Sequence, residues 1–169
     1  MGVFKLYQYV ILAIDVVMVA FMYIFLGIKY KSLPDEIPNK YNFYGEIKSY
    51  AGKEILFVLP IVATVITVVA IIVCFIPVVL WKLLESFDIS NNVKSAINSI
   101  WINFHIIVPT LCNIILTYVL ICMVCTLKFS WIFIVIFAVI AVVANIVFII
   151  SLIKNIVKMF KQREERNLA

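Results

Sequence analysis

The sequence predicts an all-α integral membrane protein: a bundle of four transmembrane helices with an ordered extracellular loop between helices 1 and 2. Three observations carry this. First, 66% of the 169 residues are hydrophobic, only 14% are charged, and the mean hydropathy is +1.17, far above the roughly half-apolar composition of soluble domains. Second, four apolar runs are each long enough to cross a bilayer, which takes about 20 residues. Third, one long polar interval, Tyr30 to Glu54, is punctuated by Leu33-Pro34, Ile37-Pro38, Gly45 and Gly52, with Tyr41, Phe43, Tyr44 and Tyr50 between charges. Pro and Gly at such offsets set turns, and aromatics give a short segment something to bury.

The spans fall at about 7–28, 55–80, 100–127 and 131–153 of a single membrane domain, 1–169. Span one is too long for the apolar core of a signal peptide and has no small-residue cleavage site after it, so it reads as retained. Span two carries Pro60 and Pro77 near its ends, where a lost backbone bond is cheapest. The connection Trp81–Asn98 is half apolar and reads as interfacial, with Ser90 as a cap for the next helix. Span three holds His105, Pro109 and Asn113, and the short link Lys128-Phe129-Ser130 makes spans three and four an antiparallel hairpin.

Orientation rests on the basic residues. The side holding both termini carries Lys5, Lys82, Lys94, Lys154, Lys158, Lys161, Arg163 and Arg166; the other carries Lys29, Lys31, Lys40, Lys48, Lys53 and Lys128. Eight against six, with five of the eight in a tail that abuts a span, places the termini and the basic tail 154–169 in the cytoplasm and the cap loop 29–54 outside. The net charge of +5 suits anionic lipid headgroups, because the basic residues flank spans and form no independent domain of the kind that binds nucleic acid. The partners expected are the lipid bilayer of the cell membrane and an external peptide or neighbouring membrane protein, with no nucleic acid.

Leu33, Pro34, Ile37 and Pro38, followed by Tyr41, Asn42, Gly45, Glu46, Tyr50 and Lys53, resemble the LPxxIPxHFNxxGxxDxxxxK signature of an uncharacterised bacterial membrane domain, the domain of unknown function 1648. That domain also forms the amino-terminal part of SdpI-type toxin-immunity proteins. The resemblance covers about the first eighty residues; the carboxy-terminal half of SdpI-type proteins has no counterpart here. Lys40 stands where the family has His, and Lys48 where it has an acid. The resemblance implies an ordered external loop and a sensing, immunity or permeability role.

Inside the membrane, Asp15 is the first functional candidate, because an isolated carboxylate in hydrocarbon is costly and normally faces the bundle with a partner. Counting inward from the cytoplasmic ends of the spans puts His105, the only histidine, and Asn145 at a similar depth. The expected cluster is therefore Asp15, His105 and Asn145, either a polar clamp between helices or a group that exchanges a proton or holds a cation. Thr64, Thr67 and Asn113 are further midplane groups, read as structural. Two residues do not make a metal site, and no nucleophile with its base, phosphate loop or paired carboxylates is present. No catalytic residue, cofactor or metal is expected.

Three functions follow. A non-enzymatic, SdpI-related protein would serve toxin immunity, sensing or partner binding through the external loop. A small proton- or cation-coupled transporter would use Asp15. A membrane thiol oxidoreductase would use Cys122 and Cys125, whereas Cys74 and Cys112 lie within spans and packing is the plainer role for all four.

Overall fold

The computed structural model describes residues 5–76, 79–80 and 91–168. The expectations for Pro77 and for Trp81 to Ser90, including the interfacial connection and the Ser90 cap, lie outside the described residues. Four helices dominate: α1 (Leu6–Lys29), α2 (Val58–Cys74), α3 (Asn91–Val124) and α4 (Trp131–Leu168). Each is long and apolar enough to cross a membrane, α2 together with the 3-10 turn before it (Lys53–Cys74). Their outward faces carry the apolar residues that hydrocarbon demands, among them Val17, Ile24, Ile72 and Ile132.

α3 is the axis of the structure, packed against α1, α2 and α4. It starts at Asn91, well before the apolar run, and passes through Pro109 unbroken, although proline offers no backbone N–H to the carbonyl four residues back. α4 lies antiparallel against α3, fixed by ring stacking of Phe104 on Phe148 (4.1 Å between centroids) and a tilted contact of Tyr118 with Phe133 (4.2 Å). Its helix continues without interruption through the basic tail to Leu168.

Between α1 and α2 the chain forms a β-hairpin, a feature that the Pro and Gly punctuation announced as turns but not as strands. β1 (Glu36–Tyr41) pairs antiparallel with β2 (Ile47–Gly52), with an irregularity around Lys40. Short 3-10 turns at Tyr30–Ser32 and Lys53–Phe57 join the hairpin to the helices. Its base is closed twice by one pair of residues: the Lys53 N–H donates to the Asp35 carbonyl (3.0 Å) and Nζ to Oδ1 (2.9 Å). Asp35 is almost fully exposed, so the ion pair adds little and the backbone bond sets the geometry.

The turn is organised by Asn42. Its Oδ1 accepts from the N–H groups of Tyr44 and Glu46 (2.9 Å each), and its Nδ2 donates to Glu46 Oε2 (2.9 Å), an Asx arrangement that replaces water on the turn's backbone donors. Gly45 follows with φ +77°, where a Cβ is strained.

One face of the hairpin is packed onto the helices. Ile37 is fully buried in a cluster with Met22, Leu26, Leu56, Ala63, Leu120, Met123 and Val124, and Leu33 packs beside it. Tyr41 stacks on Phe129 at 4.9 Å. The tip is tied to the α3–α4 link, since Phe129 N–H donates to the Gly45 carbonyl (3.0 Å) and Trp131 Nε1 to the Asn42 carbonyl (2.7 Å). The hairpin thus bridges the half of the chain that contains α1 and α2 and the half that contains α3 and α4.

A Cβ on Gly45 would collide with the Phe129 carbonyl as well as strain the backbone. Gly45→Ala should destabilise the hairpin by about 2 kcal/mol or more and release its tip. With Trp81 and Trp101 replaced by Phe, fluorescence of Trp131 would report this as a lower melting midpoint; an unchanged midpoint would contradict the docking.

Candidate functional site

The buried polar side chains gather at the level where α1, α2 and α3 meet. Asp15, 2% exposed, has two hydrogen-bond partners: Asn113 Nδ2 donates to Oδ1 (3.1 Å), and the Thr110 hydroxyl lies 2.9 Å from Oδ2. The other Nδ2 hydrogen of Asn113 reaches Thr67 Oγ1 on α2 (2.9 Å). Asn113 Oδ1 is buried and accepts no hydrogen bond among the described residues. One amide therefore joins three helices, and among the described residues Asp15 has no cation beside it, only an amide and a hydroxyl. The one ion pair among the described residues is Lys53 with Asp35, at the hairpin base.

The expected grouping of Asp15 with His105 and Asn145 is corrected. His105 Nδ1 is bonded to its own helix at the Trp101 carbonyl (2.9 Å), and its ring stacks on Trp101 (4.4 Å) and meets Phe104 and Phe148 edge-on. Asn145 Nδ2 donates to the Ala141 carbonyl one turn back. The starts of the two spans are nearly level, since Tyr7 and Gln8 meet Asn103; His105 misses Asp15 because it lies nearer that end than Thr110 and on the part of α3 that packs with Trp101 and Phe148. Counting from the hairpin end succeeds: Asp15, Thr67 and Thr110 stand equally far in sequence from Lys29, Lys53 and Val124. Thr110 is the residue missed; the ends that make the count agree come from the structure, and the span ends read from the sequence do not put Thr110 level with Asp15.

Apolar clusters close the polar level on both sides. Cys74, Ile102 and Ile106, with Ile11 and Leu12, lie toward the start of α1; the Met22, Leu26 and Leu120 cluster lies toward the hairpin. Beyond the first cluster a second polar group begins, where Tyr7 Oη (2.7 Å) and buried Gln8 Nε2 (2.6 Å) both donate to Asn103 Oδ1.

At the hairpin most motif residues serve the fold. Asn42, Gly45, Glu46 and Lys53 make the turn and base bonds, Ile37 and Pro38 are buried, and Leu33 and Tyr41 pack on the helices. Pro34 and Tyr50 are exposed. The exposed surface of the hairpin is aromatic and charged, with Phe43 85%, Tyr44 77% and Tyr50 57% exposed and Lys40, Lys48, Asp35, Glu36 and Glu46 exposed as well. The two lysines, with Tyr41, Phe129, Trp131, Val119 and Met123, line a cavity of about 450 Å³ between the hairpin and α3. The Tyr41 hydroxyl is buried without a hydrogen-bond partner among the described residues. Burial pushes its pKa up to about 12, with smaller contributions from Cys122, Tyr118 and Tyr50.

All four cysteines are free; Cys74 and Cys122 are buried and Cys125 is exposed. Among the described residues no three His, Cys, Asp or Glu side chains are grouped to hold a metal ion.

Two outcomes follow. Asn113→Leu should destabilise the bundle by about 2 kcal/mol, the order of a hydrogen bond to a charged group, and the loss should shrink when Asp15→Asn is also present, as equilibrium unfolding in mixed detergent would measure. Tyr41→Phe removes an unpaired buried hydroxyl and should not destabilise the protein at neutral pH. Because the folded pKa of Tyr41 lies above its ordinary value of about 10, stability is full below about pH 10 and falls as pH climbs toward about 12. Tyr41→Phe should flatten that alkaline loss in a pH series of melting curves.

No curated protein matches the chain, and no solved structure matches it. A family model does match, and its span runs from the second half of α1 through the hairpin into α2, the part of the chain whose loop residues resemble the LPxxIP signature. Over residues 17–64 the chain matches the family described as Domain of unknown function (DUF1648).

Proposed function

We propose that this is a non-enzymatic membrane protein of the SdpI-related type, which recognises an external peptide or a neighbouring membrane protein through the outer face of its hairpin, in an immunity or sensing role. One observation carries the reading. The residues that give the loop its motif are mostly engaged in folding and docking the hairpin, and three aromatics and two lysines stand exposed on it, along with the acids Asp35, Glu36 and Glu46. Aromatic side chains are enriched where partners bind, because they cover much apolar area with few rotatable bonds. Lys40 and Lys48 make no ion pair among the described residues, which leaves them to select an acidic partner. The DUF1648 match over residues 17–64 supports the family side of the reading. The hairpin then faces outward with both termini in the cytoplasm, as the charge balance of the flanks favours.

Two measurements test this. With Cys74, Cys112, Cys122 and Cys125 replaced, Tyr44→Cys should be labelled in intact cells by a membrane-impermeant maleimide; labelling only after lysis would put the hairpin inside. Phe43→Ala with Tyr44→Ala, in a protein that still inserts and folds, should lower protection against, or the response to, the cognate external peptide by about tenfold or more, equivalent to about 1.4 kcal/mol of binding. Full protection with both aromatics removed would refute recognition by this face.

A further inference from the structure

We infer that Asp15 is a reversible proton-binding site, with Oδ2 as the atom that takes the proton and Thr110 as the group that accommodates both charge states. This is independent of recognition by the hairpin and rests on hydrogen-bond counting. Thr110 Oγ1 lies 2.9 Å from Asp15 Oδ2 and 2.8 Å from the Ile106 carbonyl. A hydroxyl has one hydrogen and both of these neighbours are acceptors, so with the carboxylate ionised only one of the two contacts is satisfied. Once Oδ2 carries a proton, both are: Oδ2–H donates to Thr110 Oγ1, and the Thr110 hydrogen turns to the Ile106 carbonyl. The exchange moves one hydrogen about a C–O bond and no heavy atom.

Asn113 determines which oxygen is protonated. Both of its Nδ2 hydrogens are engaged, one on Asp15 Oδ1 and one on Thr67 Oγ1, so Oδ1 remains an acceptor in either state and the proton enters at Oδ2. Among the described residues the surroundings supply no competing charge. α1 offers Gln8 two turns away, beyond the Ile11 and Leu12 layer; α2 offers Thr67; α3 offers Thr110, Asn113 and the thiol of Cys112. His105 on α3 is turned to Trp101 and Phe148. No Lys or Arg partner faces Asp15 among the described residues. A carboxylate in that position is neutralised most cheaply by a proton.

The test is infrared difference spectroscopy of the full chain in lipid nanodiscs, with ¹³C-labelled aspartate, titrated from about pH 4 to about pH 9, between an ordinary Asp and a deeply buried acid. A hydrogen-bonded carboxylic-acid band should appear and disappear within that range and be lost in Asp15→Asn. Thr110→Ser, which keeps the hydroxyl, should retain the band; Thr110→Val should move it to the position of an acid whose O–H has no acceptor. Because Thr110→Val and Thr110→Ser leave the carboxyl in place, they keep the test informative if Asp15→Asn does not fold. No titrating band in the wild type, or a Thr110→Val spectrum identical to it, would overturn the proposal. So would loss of the acid band when Na⁺ replaces K⁺, which would mean that a metal ion is the occupant.

Discussion

A carboxylate buried among apolar helices is the constraint on which this structure turns. In hydrocarbon, a charged or even a neutral carboxyl group needs hydrogen-bond partners, and helices that supply none would have to separate or admit water. Asp15 finds its donors on α3, and the same Asn113 amide reaches Thr67 on α2. Three helices are thereby held at one level, and their apolar layers pack above and below it. Apolar contacts alone specify such a level poorly, because lipid tails compete with them on equal terms.

The hairpin solves a different problem. The connection between α1 and α2 is polar but carries aliphatic and aromatic side chains between its charges, so it buries Ile37 on the helix ends and satisfies its backbone by pairing the two strands. A lone two-stranded hairpin is marginal in water. This one is held at its base by Asp35 and Lys53, along its length by Ile37 and Tyr41, and at its tip by Phe129 and Trp131. The Leu-Pro, Ile-Pro, Asn and Gly positions of the motif correspond largely to these supports, so the motif describes a shape. Lys40 and Lys48, the two departures from it, stand on the exposed surface of that shape.

Much of this was legible in the sequence. Apolar runs of membrane length identify the helices, and the short link after Leu127 implies the antiparallel pairing that Phe104 and Phe148 make visible. Pro34, Pro38, Gly45 and the aromatics point to a loop with buried contacts, but strands need the register between Glu36 and Gly52, and residues separated by turns do not reveal it. Asp15 stands out because charge in an apolar run is rare. Its partners do not, because Thr and Asn in apolar helices most often bond their own backbone, as Asn145 does here. Which of them faces the carboxylate depends on how the helices are rotated against one another, a tertiary property: His105 shares α3 with Thr110 and Asn113 yet packs with Trp101 and Phe148.

The ties at the hairpin tip also have a consequence for biogenesis. The last hairpin residue, Gly52, is made long before Trp131, whose indole fastens the tip; at about 5–20 residues per second the interval is roughly ten seconds. During that time α1 and α2 can already be in the membrane while the loop has only half of its supports. Completion of the cap thus marks arrival of the second helical pair, and a nascent chain that stalls between them would leave Ile37 and Tyr41 without the α3 and link surfaces that cover them, a state that a membrane protease or chaperone can distinguish from the finished protein.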